Sequence, residues 1–252
     1  ERKPYKVEIT EVTDENGDGR IDLSDVEYLM RNKKNTMTLL EGDGDFRSPE
    51  CVELLKEADI VVTNPPFSLF RDYVALLMQY NKQFAIIGNQ NAITYREIFP
   101  LIKSNKIWLG YNNGHYWFMV PDSYEEKKTD FKIDESGQKW RRMGNICWFT
   151  NLDIEKRHED MTLFRTYSPD IYPKYDNYDA IEVSKTADIP CDYDGYMGVP
   201  ITFMQYYNPE QFEIAGLDDH RVEWVGHGPR LNGKVKYRRV IIRRKQVNTN
   251  EN

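Results

Sequence analysis

Ile60-Val61-Val62-Thr63-Asn64-Pro65-Pro66-Phe67 is the stretch that decides the fold class of this chain. Its β-branched apolar run reads as a buried strand. Asn64 stays extended because a proline follows it. Pro65 and Pro66 fix two φ angles and remove two backbone donors, so the sheet ladder stops there. An amide side chain, a free Pro65 carbonyl and an aromatic ring are left at the carboxyl end of the strand. In an open α/β sheet, that end is where ligands bind.

Those groups suit an exocyclic amine on a flat heterocycle. The Asn64 side-chain oxygen and the Pro65 carbonyl can each accept one amine hydrogen, and Phe67 can stack on a base taken out of its helix. The plain alternative is a proline-rich turn after a core strand. Asn-Pro-Pro-Phe resembles the catalytic motif of the S-adenosylmethionine-dependent amino-methyltransferases. Further blocks narrow the likeness: Gly42-Asp43-Gly44-Asp45-Phe46-Arg47-Ser48, Gly88-Asn89-Gln90-Asn91-Ala92-Ile93, Trp148-Phe149-Thr150-Asn151-Leu152-Asp153 and Gly198-Val199-Pro200-Ile201-Thr202-Phe203. Together they resemble the adenine-specific DNA methyltransferases of the EcoRI type, over residues 36 to 245.

The resemblance implies an α/β fold, with a partial Rossmann-like methyltransferase sheet followed by a β-rich recognition region. It implies methyl transfer from S-adenosylmethionine to N6 of adenine in double-stranded DNA, with Asn64, Pro65, Pro66 and Phe67 as the catalytic turn. It also implies a cognate restriction endonuclease as partner. Two other readings stand beside it. One is a related enzyme acting on RNA or a protein glutamine. The other is a calcium-stabilised DNA-binding module without catalysis.

In that family an acidic residue after a strand contacts the adenine of S-adenosylmethionine, with an aromatic against the ring. Asp45 and Phe46 match those positions, and Asp43 can exchange roles with Asp45. The alternative is a helix N-terminal aspartate favoured by the dipole. Asn89 and Asn91 are candidates for the pocket floor. The family also carries a glycine-containing cofactor loop before its catalytic motif. No copy precedes Asn64, and Glu1-Arg2-Lys3-Pro4 opens without methionine, so the expectation is a cofactor segment missing from the N-terminal side.

Asp14-Glu15-Asn16-Gly17-Asp18-Gly19-Arg20-Ile21-Asp22-Leu23-Ser24-Asp25 is the second signal. Oxygen-bearing side chains recur at the spacing of a calcium loop, with a glycine at the sixth place. The expected ligands of a structural Ca²⁺ are Asp14, Asn16, Asp18, Asp22 and Asp25, with the Arg20 carbonyl. The loop resembles dockerin-type or thrombospondin-type loops more than an EF-hand, because Asp25 replaces glutamate and a strand precedes it. The alternative is a metal-free hairpin turn rich in Asp, Asn and Gly.

The chain has 252 residues and a net charge of −7, mildly unfavourable for a nucleic-acid binder. Charge distribution decides more than the sum. Arg221, Arg230, Lys234, Lys236, Arg238, Arg239, Arg243, Arg244 and Lys245 face only Glu223 in their stretch. That segment reads either as a phosphate-contacting strand or as a solvated edge strand. Cys51, Cys147 and Cys191 suggest neither disulfides nor zinc and fit a reducing cytoplasm. No apolar run has membrane-span length. His115, His158, His220 and His227 are scattered and read as structural.

The coarse pattern is an α/β region over 1–105, with a calcium-loop-like insertion at 13–33, and a β-rich target-recognition region over 106–252. Strands are expected at Tyr5–Val12, Thr36–Leu40, Ile60–Thr63 and Phe84–Ile87. Helices are expected at Leu23–Arg31, at Pro49–Glu57 with Ser48 as N-cap and Pro49 at the first position, at Leu69–Gln79 capped by Ser68, and at Thr94–Ile102 capped by Thr94. Short strands follow at Ile107–Gly110, Tyr116–Val120, Ile146–Thr150, Phe212–Gly216 and Val240–Ile242.

Overall fold

The computed structural model describes residues 3–31, 36–218 and 228–245 and is a mixed α/β structure. The chain divides into two compact units, Glu1–Asp59 and Ile60–Asn252. In the first, β1 (Tyr5–Glu8) pairs antiparallel with β2 (Thr36–Leu39). Helix α1 (Leu23–Arg31) lies between them in sequence and buries Leu29. Helix α2 (Pro49–Glu57) begins as its sequence dictates: Ser48 Oγ accepts from the Cys51 N–H at 3.2 Å, and Pro49 stands where a missing donor costs nothing.

The second unit opens with β3 (Ile60–Thr63), which reaches β4 (Gln83–Asn89) through α3 (Phe70–Gln79) and pairs with it in parallel. A parallel pair needs such a crossover. Phe70, Val74 and Leu77 are buried at helical spacing on α3, and Phe84 and Ile86 are fully buried on β4. After α4 (Phe99–Lys103) come β5 (Trp108–Met119), β6 (Phe131–Ile133) and β7 (Lys139–Thr150). The sheet order is β3-β4-β7-β5, with β7 antiparallel to both neighbours and β6 paired to the far part of β7. Strands on either side of residue 105 therefore share one sheet.

Asn151 ties that sheet together. Its Oδ1 accepts from Phe84 N–H and its Nδ2 donates to the Lys82 carbonyl, both at 2.8 Å. The Thr150 hydroxyl donates to the Phe84 carbonyl at 2.6 Å.

A second sheet, in the order β10-β13-β9-β8, is formed by β8 (Ile181–Glu182), β9 (Met197–Val199), β10 (Phe212–Asp218) and β13 (Arg239–Arg244). β11 (Arg230–Leu231) and β12 (Lys234–Val235) make a separate hairpin. Val199, Phe212, Val240 and Ile242 are fully buried. Arg239 forms a two-point pair with Glu182, at 2.7 and 3.1 Å, and Tyr175 also donates to Glu182. The side chains of that pair are only 11% and 4% exposed. Burial pushes the Glu182 carboxyl up, but the Arg239 and Tyr175 hydrogen bonds and the guanidinium charge outweigh it and leave it below its usual value.

Four expectations change. β3 sits at the sheet edge with Ile60 49% and Val62 65% exposed, so it is not a buried strand. Ser68 caps nothing; a 3-10 turn, Phe67–Leu69, precedes α3. Thr94 ends another 3-10 turn, Gln90–Thr94, and the helix expected from it is only α4, because the Thr94 hydroxyl bonds back to the Asn91 carbonyl. The basic strand is not an edge, since β13 lies between β10 and β9. Its cations are engaged inside the sheet: Arg239 with Glu182, Arg243 with Glu213 at 2.7 Å, and Arg244 with the Cys191 carbonyl. Arg221 and Glu223 lie outside the described residues.

Candidate active site

The four-residue turn emerges from β3 as its prolines require. The ladder with β4 ends at Thr63 and Ile86. The Pro66 carbonyl accepts from Leu69 N–H at 2.9 Å, which curls the chain into the 3-10 turn and then α3. Among the described residues no donor reaches the Pro65 carbonyl or the Asn64 amide. Pro65 is buried, Asn64 is exposed, and Phe67 is 40% exposed. Two acceptors and a ring are thus presented at the carboxyl end of one strand, on a proline anchored in the interior.

β4 ends at the same edge of the sheet because it runs parallel to β3. A Cβ at Gly88 would meet Phe70 at 2.6 Å and Phe149 at 2.8 Å, so glycine is what lets α3 seat against β4 behind the turn. Asn89 Oδ1 accepts from Asn91 N–H at 2.9 Å and starts the 3-10 turn. Gln90 is the residue that sequence reasoning missed. It is 7% exposed, and its Nε2 is buried with no hydrogen-bond partner among the described residues. Its position directly after a buried strand, inside the Gly88–Ile93 block, was the available signal.

The expected cofactor residues lie in the first unit. Both Asp45 oxygens are occupied by Arg47: Oδ1 accepts from Nε at 2.9 Å and from the backbone N–H at 2.8 Å, and Oδ2 from the guanidinium at 2.7 Å. Arg47's side-chain and backbone hydrogen bonds hold the carboxyl down at about 2. Among the described residues Oδ2 accepts only that one bond, so Asp45 keeps acceptor capacity beside its pair with Arg47. Asp43 is exposed and uses Oδ1 on the Asp45 N–H at 2.9 Å, which leaves Oδ2 as an acceptor. Phe46 is half-buried, with the Arg47 guanidinium 5.2 Å from its ring centre. Asp43 and Asp45 thus both present a carboxylate acceptor close to the Phe46 ring in sequence.

The calcium-loop expectation gains no support from the loop's geometry. Asp14 accepts from the N–H groups of Gly17, Asp18 and Gly19, and Asp25 from those of Glu15, Asn16 and Asp22. Asn16 accepts from Asp18, Asp18 from Arg20, and Asp22 from Ser24. These oxygens satisfy the loop's own amides, as in nested Asx turns. Among the described residues no group of three or more His, Cys, Asp or Glu is gathered to hold a metal ion. The Asp22 backbone bond, with those of Glu15 and Asn16, lowers the Asp25 pKa against its burial.

The other reactive residue types are structural where they are described. His158 pairs with Asp153 at 2.8 Å on an exposed turn. The side chain of His115, and His220 and His227, lie outside the described residues. Cys51, Cys147 and Cys191 are free thiols, and burial pushes the Cys147 thiol up to about 12. Among the described residues no helix is long and apolar enough to cross a membrane.

An Asn-Pro-Pro-aromatic turn held open beside a parallel strand pair defines an α/β protein with the amino-methyltransferase signature. Comparison with known proteins is more specific: the profile of the family "Adenine-specific methyltransferase EcoRI" matches residues 1–245, and the chain belongs to that family. It is 51% identical over 214 residues to the Type II methyltransferase M.EcoRI of Escherichia coli, covering 82% of this chain. The alignment spans 64% of that relative, less than two thirds of its length. It is 42% identical over 240 residues to the Type II methyltransferase M.MgeORF184P of Mycoplasma genitalium, covering 87% of this chain and 75% of the relative. Against the Type II methyltransferase M.MpnI of Mycoplasma pneumoniae the identity is 41% over 229 residues, covering 82% and 70%. No solved structure matches the chain.

Proposed function

We propose that the protein transfers a methyl group from S-adenosylmethionine to N6 of an adenine flipped out of a specific site in double-stranded DNA. The observation that carries this reading is the exposed Asn64 amide beside the unpartnered Pro65 carbonyl at the end of β3. The family and the Type II methyltransferases that resemble the chain support it. The β3–α3–β4 unit is then part of a Rossmann-like methyltransferase sheet, with its ligand edge at the strands' carboxyl ends.

Each residue of the turn has a separate task. Asn64 Oδ1 and the Pro65 carbonyl accept the two N6 hydrogens, which draws the nitrogen lone pair out of the ring and fixes its direction. Phe67 stacks on the extruded base, whose unstacking costs about a few kcal/mol. Pro66 shapes the turn that keeps the Pro65 carbonyl unoccupied. When bound, S-adenosylmethionine supplies an electrophilic methyl group; Asp43 or Asp45, with Phe46, are the residues that would hold its adenine. Both acceptors at N6 are neutral, so rate enhancement comes from proximity and orientation rather than from a strong base. The place of action is the cytoplasm, where bacterial DNA lies, and a cognate restriction endonuclease is the functional partner.

Asn64→Ala tests this directly. Its surface position predicts an unchanged fold and methyl transfer reduced by at least about 100-fold. Wild-type turnover by the variant would overturn the assignment.

A further inference from the structure

The β11–β12 hairpin turns on Asn232-Gly233, at φ of 52° and 73°. Two consecutive positive φ angles are those of the two-residue hairpin turn that Asn-Gly favours. Asp176 clamps the tip, with Oδ1 on the Asn232 N–H at 3.1 Å and Oδ2 on the Gly233 N–H at 2.7 Å. The Asp176 N–H donates to the Arg230 carbonyl at 2.8 Å, and Asn177 Oδ1 accepts from the Arg230 N–H at 3.1 Å. The backbone of the hairpin is therefore fixed by groups outside it.

Its side chains are not engaged in the same way. Arg230, Lys234 and Lys236 are exposed, and among the described residues none of these cations has an ion-pair or hydrogen-bond partner for its side chain. Tyr237 is 88% exposed, among the most exposed large side chains of the described residues. The basic stretch of sequence thus separates into two populations. The cations of β13 hold the second sheet together, whereas those of the hairpin face solvent on a rigid support.

Arg238 fixes where this surface lies. It follows Tyr237 directly and donates to the Thr94 hydroxyl at 2.5 Å. Thr94 closes the 3-10 turn that begins where β4 ends, and β4 is parallel to β3. The root of the hairpin therefore meets the edge of the sheet that presents Asn64.

We propose that this hairpin is a DNA-backbone clamp. Lys234 and Lys236 neutralise phosphates flanking the target adenine, and Tyr237 lies against the adjoining sugar and phosphate, to which a tyrosine hydroxyl can donate. Charge complementarity selects the partner, because unpaired cations on a preformed support match a polyanion whose phosphates recur along its length. This inference rests on the methyltransferase reading above and adds the surface that holds duplex DNA at that site.

The test is the salt dependence of duplex binding by the whole protein and by Lys234→Ala/Lys236→Ala, a pair whose side chains make no bond among the described residues. Two phosphate contacts predict a log–log salt slope shallower by about 2, since each neutralised phosphate contributes about 0.9. The KM for DNA should rise while kcat at saturating DNA stays within about twofold. Tyr237→Ala should weaken binding with the salt slope unchanged. A wild-type slope and affinity in the double lysine variant, with DNA methylated normally by the wild type, would overturn the clamp and leave the methyltransferase reading standing. Absence of both DNA binding and DNA methylation in the wild type would overturn the reading itself, and the clamp with it. Unchanged affinity in Tyr237→Ala would remove that side chain from the surface.

Discussion

Gly88→Ala probes the link between packing and chemistry in this protein. The added methyl would lie 2.6 and 2.9 Å from two atoms of the Phe70 ring and 2.8 Å from Phe149. Those rings are 1% and 0% exposed and already pack at 4.9 Å between centres, so neither can swing into solvent. Restoring ordinary carbon–carbon contact requires movement of roughly 0.8 Å. Overpacking of this kind costs about 1–3 kcal/mol. For a domain of this size that corresponds to a Tm drop of roughly 2–12 °C. Phe70 opens α3 only three residues after Phe67, so its displacement is transmitted to the Asn-Pro-Pro-Phe turn. Misplacement approaching ~1 Å can lower turnover by about 100-fold. Thermal unfolding and single-turnover methyl transfer, measured on the same preparation, read the two effects. Wild-type values for both would refute the argument that Gly88 sets the position of the turn.

Arg239→Met leaves Glu182 buried without its cation and should cost about 3–5 kcal/mol in denaturant unfolding. Adding Glu182→Leu should recover most of that loss; equal costs for the single and double variants would contradict it. The pH response should also reverse. In the wild type the Glu182 pKa is lowered, so its contribution is present above the unfolded value of about 4.3 and is lost as pH falls through the folded one. In Arg239→Met only the Tyr175 and Ser184 hydrogen bonds oppose burial, the largest of the causes, so the pKa should rise and stability should increase on acidification from neutrality toward that value, as read by unfolding at several pH values. For the Asp14–Asp25 loop, calcium addition or chelation should leave Tm unchanged if the hydrogen bonds from its own amides suffice to hold it. A calcium-dependent rise in Tm would instead establish the metal reading of the loop.

The elements with local determinants were legible in the sequence. Helix α2 follows from Ser48 and Pro49, and α1 from the spacing of its apolar residues. The parallel β3–α3–β4 unit follows from an apolar run, a proline stop and a helical period. What depends on distant partners was not legible. The exposure of β3 is set by its position at the edge of the sheet. Two short strands proved to be one twelve-residue β5 because β7 supports its length, with register shifts along the pair. In the candidate site, the availability of Asn64 follows from Pro65 and Pro66. The pairing of Asp45 with Arg47 depends on the Arg47 rotamer, which spacing alone does not fix. The basic stretch showed the same limit: its total charge was visible, but its division between sheet and hairpin depends on Glu182, Glu213 and Asp176, which lie far away in sequence.

The measurement that tests the central claim most directly uses labelled S-adenosylmethionine with unmethylated duplex DNA, wild-type protein and Asn64→Ala in parallel, followed by digestion to nucleosides. The account predicts label in N6-methyladenine for the wild type and little or none for Asn64→Ala. Label in another base, in protein, or equally in both proteins would contradict it.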